Sequence, residues 1–151
     1  MTEPSLNYVQ CPDASGGHRM AYWQWGNPEA GHVVVCVHGL TRQGRDFDVL
    51  ARALCQRGGD TLRVVCPDVA GRGQSDWLKD PLGYQIPSYA ADMLALLAHL
   101  QPTQEVLLLG WGVPMPLPVQ SRRYDNIFWE ELLGKSKGKM TTEEAIKDLG
   151  F

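Results

Sequence analysis

Three runs of this sequence hold residue types that can handle a carbonyl, a phosphate or a nucleotide. The first, Val33-Val34-Val35-Cys36-Val37-His38-Gly39-Leu40, ends an apolar stretch in a histidine and a glycine. The second, Asp68-Val69-Ala70-Gly71-Arg72-Gly73-Gln74-Ser75, follows Cys66-Pro67, and the third is Gly110-Trp111-Gly112-Val113-Pro114. Nucleophilic acyl transfer needs an attacking hydroxyl or thiol, a base to take its proton, a carboxylate to orient the base, and donors aimed at the developing oxyanion. The four histidines, His18, His32, His38 and His99, all precede Gly112, so neither Ser121 nor Ser136 has a histidine after it. Gly71-Arg72-Gly73 invites a dinucleotide-loop reading, but G-x-G-x-x-G needs glycine at position 76, where Asp76 stands, and no helix opens there. Gly134-Lys135-Ser136 resembles the end of a phosphate-binding loop, yet that loop needs glycine at position 129, which is Trp129. Cys11, Cys36, Cys55 and Cys66 show no C-x-x-C spacing and read as reduced, with neither a metal nor a cofactor expected.

These residues must be held by elements that the hydrophobic pattern indicates. Arg19 to Trp25 is rich in aromatics and ends in Gly26-Asn27-Pro28, an early antiparallel strand followed by a turn. His32 to Val37 is continuously β-branched rather than alternating, which predicts a strand covered on both faces. Asp46 to Leu54 carries Phe47, Leu50, Ala51 and Leu54 at helical spacing, with Gly58-Gly59 as the stop. Leu62 to Cys66 is a second buried strand halted by Pro67, Ser88 to Leu100 a helix with Ser88 as its cap, and Glu105 to Leu109 a further buried strand. Strands alternating with helices predict right-handed crossovers, a mostly parallel sheet and helices on both faces. Beyond Gly112 the prolines at 114, 116 and 118 read as an extended spacer. Two short helices follow, over Asp125 to Leu133 and after Thr141, whose capping-box partner is Glu144. The domain reading is therefore a half-fold over 1–112, a proline-rich linker over 113–120 and a helical tail over 121–151.

The chain has 151 residues, 44% hydrophobic and 21% charged, the composition of an ordinary globular domain. Its formal net charge of −3, and the six basic against six acidic side chains between Met115 and Phe151, give no electrostatic reason for nucleic acid as a partner. No apolar run reaches the roughly 20 residues of a membrane span, and the N-terminus lacks a secretory pattern. No membrane partner is expected, and a cytoplasmic location is.

Taken together, the His-Gly run, the D-x-x-G-x-G-x-S run and their spacing resemble the front half of an α/β-hydrolase, over about His18 to Trp111. The resemblance implies a partial α/β-hydrolase fold of α/β class, with a short helical tail attached. It puts oxyanion donors on the backbone N–H groups of Leu40 and Val113, and makes His38, Gly39, Asp68, Gly71, Gly73 and Ser75 structural members of two loops, His38 bracing its own. In the family's G-x-S-x-G signature the middle residue attacks, and here that residue is Gly112; the acid and histidine that should follow it are missing. The expectation is a truncated, esterase-like or lipase-like pseudo-enzyme with a small acyl substrate or ligand in its ancestry. The alternative is a non-catalytic interaction or scaffold protein that uses the half-fold and tail to bind a partner. In either case Val106 to Leu109 would be an apolar sheet edge, to be covered by the tail around Phe128 and Leu132 or by a second copy of the chain.

Overall fold

The computed structural model describes residues 3–39, 41–104 and 106–110. Five strands form one sheet in the order β1-β2-β4-β3-β5: β1 Ser5–Cys11, β2 His18–Gly26, β3 His32–Val37, β4 Leu62–Pro67 and β5 Leu107–Gly110. β1 and β2 make an antiparallel hairpin with Cys11 opposite His18, and β2 runs antiparallel to β4. β4 and β5 both run parallel to β3, with Gly110 opposite Val37. The sheet is thus mixed, parallel where the crossovers occur and antiparallel at the β1 end.

Helix α1, Asp48–Gly58, joins β3 to β4, and helix α2, Ile86–Leu100, joins β4 to β5. They lie on opposite faces, and β3 shows why its continuous apolar run was needed. Val34 and Cys36 enter a core with Phe47, Leu50, Ala51 and Leu54 from the α1 side. Val33, Val35 and Val37 enter another with Tyr89, Met93, Leu96 and Leu100 of α2. Successive strand side chains point to opposite faces, so a strand buried on both must be apolar at every position.

Apart from shifts of one or two residues at strand ends, among them β5 at Leu107–Gly110 in place of Glu105 to Leu109, the elements differ from their sequence reading in three places. β1 was not expected: only Val9 and Cys11 of its seven residues are buried, so it carries too little alternation to stand out. Phe47 belongs to a short 3₁₀ turn, Gly44–Phe47, that leads into α1, which begins two residues later than the spacing suggests. Ser88 does not cap α2. That helix opens after Gln85 with Pro87 in its first turn, a position where the missing N–H costs no intrahelical bond. The linker over 113–120 and the tail over 121–151 lie outside the described residues, as do Leu40, Gly112 and Val113.

Candidate active-site edge

The C-terminal ends of β3, β4 and β5 lie side by side, and the His38-Gly39 end of the first run and the start of the second lie there. In open α/β sheets, ligands bind in the crevice outside these strand ends. His38 leaves β3 and is only 6% exposed. Its Nε2 accepts the Val69 N–H at 2.9 Å, and its Nδ1 lies 2.7 Å from the Gly39 carbonyl, to which it donates. Those partners assign a neutral ring with both nitrogens committed to backbone, one in each loop. The imidazole ties the β3 loop to the β4 loop and has no lone pair left for a reacting proton.

Burial holds the His38 pKa below its ordinary value of 6.5, while the Gly39 carbonyl and the Asp68 and Asp46 carboxylates oppose that shift and Arg72 adds to it. A histidine with a folded pKa below the unfolded one binds fewer protons when folded, so stability rises with pH across the interval between the two values. Acidification below about pH 6.5 is therefore expected to weaken the fold through this group. Urea midpoints measured from about pH 7 down to about pH 5 should fall more steeply for the unaltered chain than for His38→Gln, which cannot take up the proton. Parallel pH profiles would remove His38 as the cause.

Asp68 follows Pro67 at the end of β4 and is 1% exposed. Its Oδ1 accepts the Gly44 N–H at 2.7 Å, and its Oδ2 accepts the Gln74 N–H at 2.9 Å and the Trp23 indole N–H at 3.3 Å. Its carbonyl accepts the Ser75 hydroxyl at 2.5 Å, whose oxygen in turn accepts the Ala21 N–H at 2.8 Å. Every one of these bonds is internal to the scaffold: Asp68 and Ser75 fasten β2, the β3 loop and the β4 loop to one another. Gly71 and Gly73 adopt positive φ, +80° and +50°, and a side chain at Gly73 would collide with the Asp68 carboxylate. That close approach is why a glycine is required there. Asp76, next in the run, accepts the Arg19 backbone N–H at 2.9 Å and pairs with its guanidinium.

The cysteines are not set up as alternative nucleophiles. The four cysteines are buried and free. Burial, helped by the Asp92 charge, pushes the Cys11 thiol up to about 12; burial and neighbouring Cys36 push Cys55 up to about 11; a hydrogen bond with Cys36 and burial raise Cys66. A thiol needs the opposite shift to attack. His18 has a carboxylate against each ring nitrogen, Asp13 at 2.6 Å and Asp92 at 2.7 Å, so it cannot serve a hydroxyl as base. Sequence reasoning gave His18 no part in any site, because Asp92 lies 74 residues away.

Set beside known proteins, residues 32–111 match the family model described as alpha/beta hydrolase fold, more than half of the chain. The chain belongs to that family. Over 97 residues it is 59% identical to a 3-hydroxybutyrate-oligomer hydrolase of Cupriavidus necator, covering 64% of this chain and 32% of that protein. A non-heme haloperoxidase of Rhodococcus erythropolis is 34% identical over 87 residues, 58% of this chain and 29% of that one. Among solved structures, the thioesterase domain from the curacin biosynthetic pathway superposes with a TM-score of 0.60 at 30% identity, covering 71% of this chain and 35% of that one. An alpha/beta hydrolase from Novosphingobium aromaticivorans gives 0.58 at 32% identity over 76% and 37%. This alpha/beta hydrolase chain spans about a third or less of the length of the curated relatives it matches. No helix among its described residues is long and apolar enough to cross a membrane.

Proposed function

We propose that the chain carries the framework of an ester hydrolase acting on short hydroxyacid oligoesters, and that this polypeptide does not itself attack them. The substrate class is supported by the oligomer hydrolase of Cupriavidus necator, whose likeness to this chain spans 97 residues at 59% identity. The loss of attack rests on one observation, the glycine at position 112. β5 ends at Gly110 directly beside Val37, one residue ahead of His38, so the run Gly110-Trp111-Gly112 departs from the same edge as the His-Gly loop. That register supports reading position 112 as the elbow residue, where an attacking serine would stand. Glycine has no oxygen to offer, and no histidine follows it in these 151 residues. Knocking out members of a catalytic triad costs roughly 10⁴-fold to 10⁶-fold in rate.

The purified polypeptide is accordingly expected to show no labelling by a serine-directed fluorophosphonate and no saturable turnover of a p-nitrophenyl ester. Specific labelling of any serine, or turnover that follows the protein through every purification step, overturns this reading. A second reading, a non-catalytic interaction protein, draws on β5, which among the described residues has a ladder partner on one side only. Concentration-dependent self-association in light scattering would favour it, and a chain that stays monomeric at high concentration would remove that form of it.

A further inference from the structure

At the same end of the sheet as the β4 loop but on its β1–β2 side, the hairpin and α2 bring together a cluster that the hydrolase reading does not use. Cys11 closes β1 and His18 opens β2, directly opposite each other in the antiparallel register. Asp92 comes from the second turn of α2, on the face packed against the sheet. All three are buried, at 0%, 6% and 3% exposure, and one donor atom from each lies within 4.8 Å of the others. They are a sulfur, an imidazole nitrogen and a carboxylate oxygen.

The surroundings of His18 decide how this cluster can be read. Asp13, in the turn of the hairpin, accepts from Nδ1 at 2.6 Å. Its other oxygen is held by the backbone N–H groups of Ser15 at 2.7 Å and Gly17 at 2.9 Å, which fixes the carboxylate in place. A carboxylate on Nδ1 leaves the Nε2 lone pair pointing outward, the arrangement that orients a metal-binding histidine. That lone pair faces the Asp92 Oδ2 at 2.7 Å. Two acceptors at that distance need a positive charge between them. A proton would supply it; a divalent cation would supply it and also engage the Cys11 sulfur, whose thiol hydrogen-bonds Asp92 and lies 3.9 Å from the Val9 carbonyl oxygen. An open cavity of about 330 Å³, lined among others by Asp13, Ser15, His18, Asp80 and Asp92, gives an ion a route in and room for a water.

We infer that Cys11 Sγ, His18 Nε2 and Asp92 Oδ2 form a binding site for a zinc-like divalent cation, with Asp13 orienting His18 and a cavity water completing four-coordination. Mixed sulfur, nitrogen and oxygen donors in a tetrahedral set suit Zn²⁺, with bonds of about 2.3 Å to sulfur and about 2.0 to 2.1 Å to nitrogen and oxygen. Those bonds place nitrogen and oxygen roughly 3.3 Å apart, so the Asp92 carboxylate swings outward by roughly 0.6 Å when the ion enters. The bound ion fastens the β1–β2 hairpin to α2. The site stands independently of the functional reading above.

The test is titration of the metal-free, full-length chain with Co²⁺ and Zn²⁺. The expected result is one ion per chain, a visible Co²⁺ spectrum of tetrahedral intensity with a sulfur-to-cobalt band in the near ultraviolet, and competition by Zn²⁺. Cys11→Ser should remove the sulfur band. Asp13→Asn should keep it while weakening affinity roughly 10-fold to 100-fold. Amide spectra of each variant report whether it folds, and the cobalt spectrum of the unaltered chain needs no variant at all. Failure of the folded chain to take up either ion, leaving only a proton-bridged His18–Asp92 pair, overturns the site, as does binding that survives both Cys11→Ser and His18→Gln unchanged.

Discussion

Asp68→Ala is expected to destabilise the domain by about 3 to 5 kcal/mol, a large part of the roughly 5 to 15 kcal/mol that holds a typical domain together. The carboxylate is 1% exposed and takes the Gly44 N–H at 2.7 Å, the Gln74 N–H at 2.9 Å and the Trp23 indole N–H at 3.3 Å. Removing it orphans donors on three separate segments, each costing roughly 1 to 3 kcal/mol if water cannot reach it. Asp68→Asn keeps one acceptor oxygen but turns an NH₂ group toward a donor, so it should recover only part of the loss. Urea midpoints of the two variants against the unaltered chain measure both. An Asp68→Ala midpoint within experimental error of the original would mean that these bonds do not hold the two loops.

Gly44→Ala is expected to cost roughly 3 kcal/mol, for a different reason. A Cβ at Gly44 would stand 2.5 Å from the Cys66 carbonyl oxygen and 3.1 Å from Asp68 Oδ1. Neither neighbour can step aside cheaply. Cys66 lies in β4, paired with Trp23 of β2 and inside the α1-side core, and Asp68 is held by the bonds just described. The loop after β3 must therefore back away, and the Gly44 N–H loses its carboxylate partner. Gly59→Ala isolates another mechanism: a side chain there meets nothing within 4 Å, but φ +56° with ψ −135° is a backbone conformation that favours glycine, so it should cost roughly 1 to 3 kcal/mol of backbone strain alone. Thermal unfolding measures both, and a Gly44→Ala midpoint unchanged from the original would show that no such collision has to be relieved.

How much of this was legible in the residues depended on how local the signal was. β3, β4 and both helices could be read because burial on two faces forces an unbroken apolar run or a helical repeat into the sequence. β1 could not, since Ser5, Leu6, Tyr8 and Gln10 are exposed and only the hairpin register shows where Val9 and Cys11 turn inward. The glycine-rich run after β4 was legible as a tight reversal, and Gly71 and Gly73 do adopt positive φ. That the Asp68 carboxylate is buried and reaches back to Gly44 was not, because the bond spans 24 residues. The Cys11, His18 and Asp92 cluster was invisible for the same reason on a larger scale: the register of β1 on β2 and the docking of α2 create it, and no spacing in the chain announces it.

The strand order has one more consequence, for how the molecule comes into being. β1 and β2 are neighbours in both sequence and space, whereas β3 waits for β4 on one side and for β5 on the other. A chain emerging from the ribosome completes its hairpin early, then carries Val33 to Val37 with one ladder edge unmatched until residues past 106 have been made. Five consecutive apolar or thiol-bearing positions of that kind form a segment prone to stick to its counterparts on neighbouring nascent chains. Translation speed and chaperone supply then bear on how much of this polypeptide reaches its native state.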